Sequence, residues 1–324
     1  MPLPREPRVA VVGATGVVGN QIVDLIGARG FQFGELKLFA TEAGSAQTLD
    51  AAGEEQLVEP LTSPADLRAF DLAFLAIPAS AASEIVGAAP GPILIDLSSA
   101  NRPPSDLPLV APGLTPRARF DQLLELRLFT IPHPTAHVLA TCLNALGIQA
   151  GFVAATAMLG ASAGGRDVLA TTVDQTTDLL SARLDLDEDA VQRGFNVFMR
   201  EHERSIATTI SAQVISLLDR SPVLGLQVVG MPVLHGSALA INLPALIEGG
   251  DARELLRVAP GVLLAEEGEP LGLIDAVGQE AIVVSVEESP GTVGLWCVFD
   301  NTRLAALGAL WIAETLALGT SALA

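Results

Sequence analysis

The chain reads as an α/β protein, with a doubly wound parallel sheet first and an α+β unit with a mostly antiparallel sheet after it. Three observations predict this. A β-branched and apolar run opens at residue 8 and passes straight into a glycine-rich turn and a helical pattern. Strand and helix patterns then alternate to about residue 132, as a parallel sheet covered on both faces requires. Beyond that point strands are separated by long segments carrying two helical patterns, which indicates helices gathered on one face of an antiparallel sheet.

Taken in order, RVAVV at residues 8–12 fits a buried parallel strand. Gly13-Ala-Thr-Gly16-Val-Val-Gly19 follows, and then QIVDLIGARG. Its Ile22, Val23, Leu25 and Ile26 fit a helix that Gly30 ends. Strands are expected at 36–40, 72–77 and 93–97, with a helix over 79–88 between the last two. In the second half, strands are expected at 154–158, 223–229, 238–242, 281–286 and 294–299, and helices at 166–186 and 205–218. Residues 248–253, rich in Gly and acids, are expected to form a loop. A closing helix is expected over 301–318. The expected domains are therefore 1–132 with 301–324, and 133–300.

A G-x-x-G-x-x-G turn between a strand and a helix is a variant of the dinucleotide fingerprint, which makes the first domain Rossmann-type. Gly13 permits the tight turn, Gly16 lets the backbone approach a pyrophosphate, and Gly19 lets the helix pack closely on the strand. The helix N-terminus attracts the phosphates. The next strand ends in Thr41-Glu42-Ala43-Gly44-Ser45, where such domains distinguish NAD from NADP. Glu42 is the charged group in that loop and would disfavour a 2′-phosphate.

Composition narrows the function classes. A formal charge of −19 repels nucleic acid and anionic lipid, and no basic cluster offsets it. The hydrophobic 50% is spread over the chain without a run of spanning length, and the N-terminus lacks the pattern of a cleaved signal. A cytoplasmic protein is expected. Two cysteines, Cys142 and Cys297, are too few for a disulfide framework or a zinc site. His202-Glu203 lacks a second His four residues on, so no zinc-hydrolase motif is formed.

Eight segments in order resemble the aspartate-semialdehyde dehydrogenase family: VAVVGATGVVG, ATEAGSA, LIDLSSANR, IPHPTAHV, ATAMLGASAGG, FNVF, GMPVLHGSA and WCVFDNTR. The resemblance implies an NADP or NAD cofactor held by Gly13, Thr15, Gly16, Val17, Val18 and Gly19, with Ser98 and Ser99 beside it. It implies Arg102 at the phosphate-holding position, a second domain carrying substrate site and dimer interface, and hence a homodimer. The family reduces an aspartyl phosphate through a cysteine thioester, using a His as general acid/base and an Arg for the substrate carboxylate.

Against that pattern, the binding positions survive and the catalytic ones do not. The family's nucleophile lies in a segment like IPNPNCST, so Ala136 stands under the Cys. The family's Gln falls on Leu159, its Arg on Gly230 and its His on Ser237. Cys142 cannot substitute, because it lies six residues further along the expected helix, about 9 Å away, among leucines. Two functions remain open at this point. One is a catalytically depleted homologue that binds a nucleotide or a small anionic ligand. The other is an oxidoreductase of altered, non-thiol chemistry using His235 or His137.

Overall fold

A computed structural model of the chain describes residues 3–41, 44–88, 91–98, 108–124, 127–148, 151–183, 186, 190–199, 201–218, 222–244 and 251–318. The chain divides into two compact units, Met1–His133 with Ala305–Ala324, and Pro134–Leu304.

The first unit contains β1 (Arg8–Val12), α1 (Val17–Ala28), β2 (Glu35–Ala40), β3 (Thr48–Ala51) and β4 (Glu54–Pro60). It continues with β5 (Leu72–Leu75), α2 (Ala79–Ala88), β6 (Ile93–Asp96), α3 (Arg117–Leu123) and β7 (Leu128–Thr130). Its sheet has the order β3-β4-β2-β1-β5-β6-β7 and is parallel except at the β3–β4 edge. Strand periodicity divides β1 between two cores. Val9 and Val11 join Ile22, Leu25 and the late-chain residues Leu310 and Ile312 on one face. Ala10 and Val12 join Phe39, Leu67, Phe70 and Ile85 on the other. Apolar side chains buried on both faces are what a doubly wound sheet demands of its central strand.

The second unit contains α4 (Pro134–Ala145), β8 (Phe152–Leu159), α5 (Arg166–Leu180), α6 (Glu201–Leu218), β9 (Val223–Gly230) and β10 (Ser237–Pro244). After these come α7 (Ala252–Arg257), β11 (Val262–Leu264), β12 (Ile282–Ser289), β13 (Thr292–Phe299) and the start of α8 (Asn301–Leu318), whose residues from Ala305 on belong to the first unit. The sheet order is β11-β12-β13-β10-β8-β9, antiparallel at its three central pairings and parallel at both edges. Helix α4 packs on β10 and on α6, and α6 packs on β9. Helices α4 and α6 are thus gathered on one face. Asp300 starts α8: its Oδ1 accepts from the Thr302 and Arg303 backbone N–H groups, at 3.1 and 3.0 Å, while Oδ2 accepts from Gly278. This cap gives the WCVFDNTR segment a structural role.

Some sequence expectations are corrected. The helix expected over 166–186 ends at Leu180, because Ser181 and Arg183 N–H groups turn back onto Asp178 O and Ala182 takes a positive φ of 52°. Of the loop expected at 248–253, residues 248–250 lie outside the described residues. Asp251 then caps α7 by accepting from Arg253 N–H at 2.7 Å, so Ala252 and Arg253 are helical. The strand expected to reach residue 77 ends at Leu75.

Candidate functional site

The loop between β1 and α1 and the first turn of α1 carry all six nucleotide-binding positions expected from Gly13 to Gly19. Gly13 has φ +85°, and a Cβ on it would collide with the Ala76 carbonyl oxygen. A Cβ on Gly19 would collide with the Gly13 carbonyl oxygen, so α1 approaches β1 as closely as only glycine allows. Gly13 and Ala14 N–H groups both donate to Phe39 O, at 2.8 and 3.0 Å, and Gly16 N–H donates to Gly13 O at 2.9 Å. Those amides serve the turn. The N–H groups of Thr15, Val17, Val18 and Gly19 have no acceptor among the described residues and stand at the N-terminus of α1. Four free donors at a helix start are what an anion requires there.

A cavity of about 400 Å³ opens on this loop. Its floor is Gly13, Thr15 and Gly16; Thr41, Thr62 and Ser63 line one side, and Ala81, Glu84 and Ile85 of α2 another. Ser98 lies just after β6, buried, with its N–H on Asp96 Oδ1 at 2.8 Å and its hydroxyl without a partner among the described residues. The free amides fit a bound nicotinamide nucleotide, whereas Ser98 is not among the described residues that line the cavity. Glu42, Ser99 and Arg102 lie outside the described residues.

Three of the four positions where the family's catalytic side chains would stand are brought together in the second unit. Leu159 ends β8 and pairs with Gly230 of β9 on one side and Ser237 of β10 on the other. The family's Gln, Arg and His positions therefore form one row across three strands, and this chain fills them with an isobutyl group, no side chain and a small hydroxyl. Ser237 is fully buried, its Oγ without a partner among the described residues. Ala136, the fourth position, is fully buried in the first turn of α4.

The space at Gly230 is refilled. Phe198 bridges to Gly230 through two backbone hydrogen bonds, at 3.1 and 2.9 Å. A Cβ at position 230 would collide with three carbons of its ring. The same ring carries the Arg193 guanidinium 5.2 Å from its centroid. Gln175 fixes the Arg193 backbone, accepting from its N–H at 2.6 Å and donating to Val191 O at 3.0 Å. A cavity of about 60 Å³ is lined by Arg193, Phe198, His202, Glu203, Leu159 and Gly230 among others. Arg193 has no ion-pair partner among the described residues. The sequence marks FNVF as a landmark, but neither periodicity nor motif reveals that its last residue covers position 230.

The remaining nucleophiles and bases are poorly placed for catalysis. Cys142 and Cys297 are fully buried with their sulfurs 3.8 Å apart, and the hydrogen bond shared with Cys142 together with burial pushes the Cys297 thiol well above its ordinary range. Burial lowers His133 to about 4, so it is neutral near pH 7. His137 is buried and engaged with its surroundings; His235 is exposed beside Gly236. Among the described residues no His/Cys/Asp/Glu group could hold a metal ion, and no helix is long and apolar enough to cross a membrane.

Residues 8–122 match the semialdehyde dehydrogenase NAD-binding domain, in line with the expected NAD or NADP cofactor. The chain is 31% identical to a USG-1 protein homolog of Pseudomonas aeruginosa, over 95% of this chain and 97% of that protein. It is 28% identical to an aspartate-semialdehyde dehydrogenase of Synechocystis, over 97% and 98%. The solved structure of a probable aspartate-semialdehyde dehydrogenase from Pseudomonas aeruginosa superposes with a TM-score of 0.82 at 30% identity, covering 98% of both chains. With its sheet order, its glycine loop and near full-length identity of this level, the chain belongs to the aspartate-semialdehyde dehydrogenase family.

Proposed function

We propose that this chain is a catalytically depleted member of its family, a cytoplasmic homodimer that binds NAD(P) and acts as a binding or regulatory protein. The observation that carries the proposal is the row Gly230–Leu159–Ser237, where three functional positions are lost side by side and Phe198 occupies the space of one of them. A single loss leaves a hole in an active site. Here the hole is packed, and Ala136 removes the nucleophile without which thioester chemistry does not begin.

The binding parts support the other half of the proposal. The α1 N-terminus offers unsatisfied amides to a pyrophosphate. A nicotinamide nucleotide, when bound, supplies hydride chemistry; the chain's own residues hold it and lack the acyl-forming thiol. The Arg193 guanidinium, held on Phe198 and facing the smaller cavity, is the place for a small anionic ligand. A homodimer is supported by the apolar side chains exposed where β8 and β9 begin, Phe152 and Val223, which stand opposite each other, 57% and 63% exposed.

The test is NADPH oxidation by the purified protein with aspartyl phosphate as substrate. The expected result is no rate above the protein-free background. A rate of the size that family enzymes show overturns the proposal. A slow oxidation abolished by His137→Gln or His235→Gln would favour non-thiol chemistry instead.

A further inference from the structure

The cavity on the glycine loop has an uneven charge. Of the described residues that line it, Glu84 is the one charged side chain, and no Lys or Arg is among them. Glu84 is exposed on α2 and has no ion-pair partner among the described residues. Two of the hydroxyls opposite, Thr62 and Ser63, take part in a local turn. Thr62 Oγ1 donates to Asp66 Oδ2 at 2.8 Å, which also accepts from Ser63 N–H at 3.0 Å. Ser63 Oγ accepts from Ala65 N–H at 3.2 Å, capping the short helix Pro64–Ala69. A second acid, Asp66, thus stands directly behind the wall.

A nucleotide pyrophosphate in this site is met by the α1 N-terminus, whose dipole and free amides favour negative charge. A further phosphate on the adenosine ribose would find no cation among the described residues that line the cavity. Its two charges would enter a cavity whose one charged lining side chain among the described residues is Glu84, in a chain already carrying −19. A neutral ribose 2′-hydroxyl has the opposite preference, because a carboxylate accepts its hydrogen bond.

Resting on the nucleotide-binding half of the proposed function, we infer that this site selects a dinucleotide without a 2′-phosphate, NAD over NADP, and that Glu84 is a specificity-determining residue. The sequence singles out Glu42 for that discrimination. Glu84 acts from another element, α2, which the dinucleotide fingerprint does not include.

The experiment is calorimetric titration of the intact protein with NAD and, separately, with NADP at low and at physiological ionic strength, repeated on Glu84→Gln and Glu84→Arg. NAD is expected to bind about tenfold or more tightly than NADP at low salt, with the gap narrowing as salt screens the repulsion. Glu84→Gln should narrow the gap by strengthening NADP, and Glu84→Arg should close or reverse it. NADP binding as tightly as NAD overturns the selectivity and leaves nucleotide binding standing. A strong NAD preference unchanged in both variants overturns the role of Glu84. Failure of both nucleotides to bind overturns this inference together with the nucleotide-binding reading on which it rests.

Discussion

Gly230 and Phe198 show how a lost side chain becomes part of the packing. The ring of Phe198 lies where a side chain at 230 would start, so Gly230→Arg must displace it. The expected cost is about 1–3 kcal/mol in urea denaturation. Phe198→Ala in the same chain should recover part of that cost, and additive effects of the two changes would contradict direct contact. Gly19→Ala, which drives a methyl into the Gly13 carbonyl, should cost about 2 kcal/mol or more by the same measurement. His133 makes a pH prediction. Burial lowers it from 6.5 to about 4 in the folded state, so the unfolded chain binds more protons between those values. The stability associated with its neutral form is fully present above pH 6.5 and is lost as pH falls towards 4, about 3 kcal/mol in all. His133→Gln should flatten the slope of stability against pH in that window; an unchanged slope would contradict it.

At the scale of elements, most of the core strands and helices were legible because their patterns are strong. β1 is apolar on both faces, and α8 repeats its apolar residues over 18 positions. The β3–β4 hairpin was not legible. Its strands, TLDA and EEQLVEP, are short and largely exposed, and its turn is Ala52-Gly53 rather than an Asn-Gly pair. Ala52 nonetheless takes φ +58° next to Gly53 at +84°, the backbone of a turn that asparagine favours. Ala52→Asn should therefore stabilise the protein by about 0.5 kcal/mol in thermal or urea denaturation. A destabilisation would contradict the assigned turn. The end of α5 was misjudged and α7 was missed for a related reason: a residue at positive φ and an Asx cap decide them, and apolar periodicity reports neither. The clamp between β1 and β5 was also invisible in sequence. Arg8 donates to Asp71 through its backbone N–H at 2.9 Å and its side chain, and these bonds hold the Asp71 carboxyl below its usual range.

At the scale of the molecule, the glycine loop and the family's order of segments identified where binding and chemistry would lie, while the meaning of the losses depended on contacts. Leu159, Gly230 and Ser237 are separated by 71 and 7 positions in sequence, counted as 230 − 159 and 237 − 230, and only sheet pairing makes them neighbours. Glu84 and Arg193 gain significance in the same way, from cavities that no linear pattern describes. The exposed pair Phe152 and Val223 predicts that the protein sediments as a dimer and that Phe152→Asp shifts it towards monomer; an unchanged dimer would place the interface elsewhere. The central claim is that no group of this chain forms the covalent acyl intermediate. Intact-mass spectrometry after incubation with aspartyl phosphate addresses it directly. The protein mass is expected to stay unchanged. A gain of one aspartyl group, lost again in Cys142→Ser, would show that a buried thiol has taken over the nucleophile's role and would contradict the account.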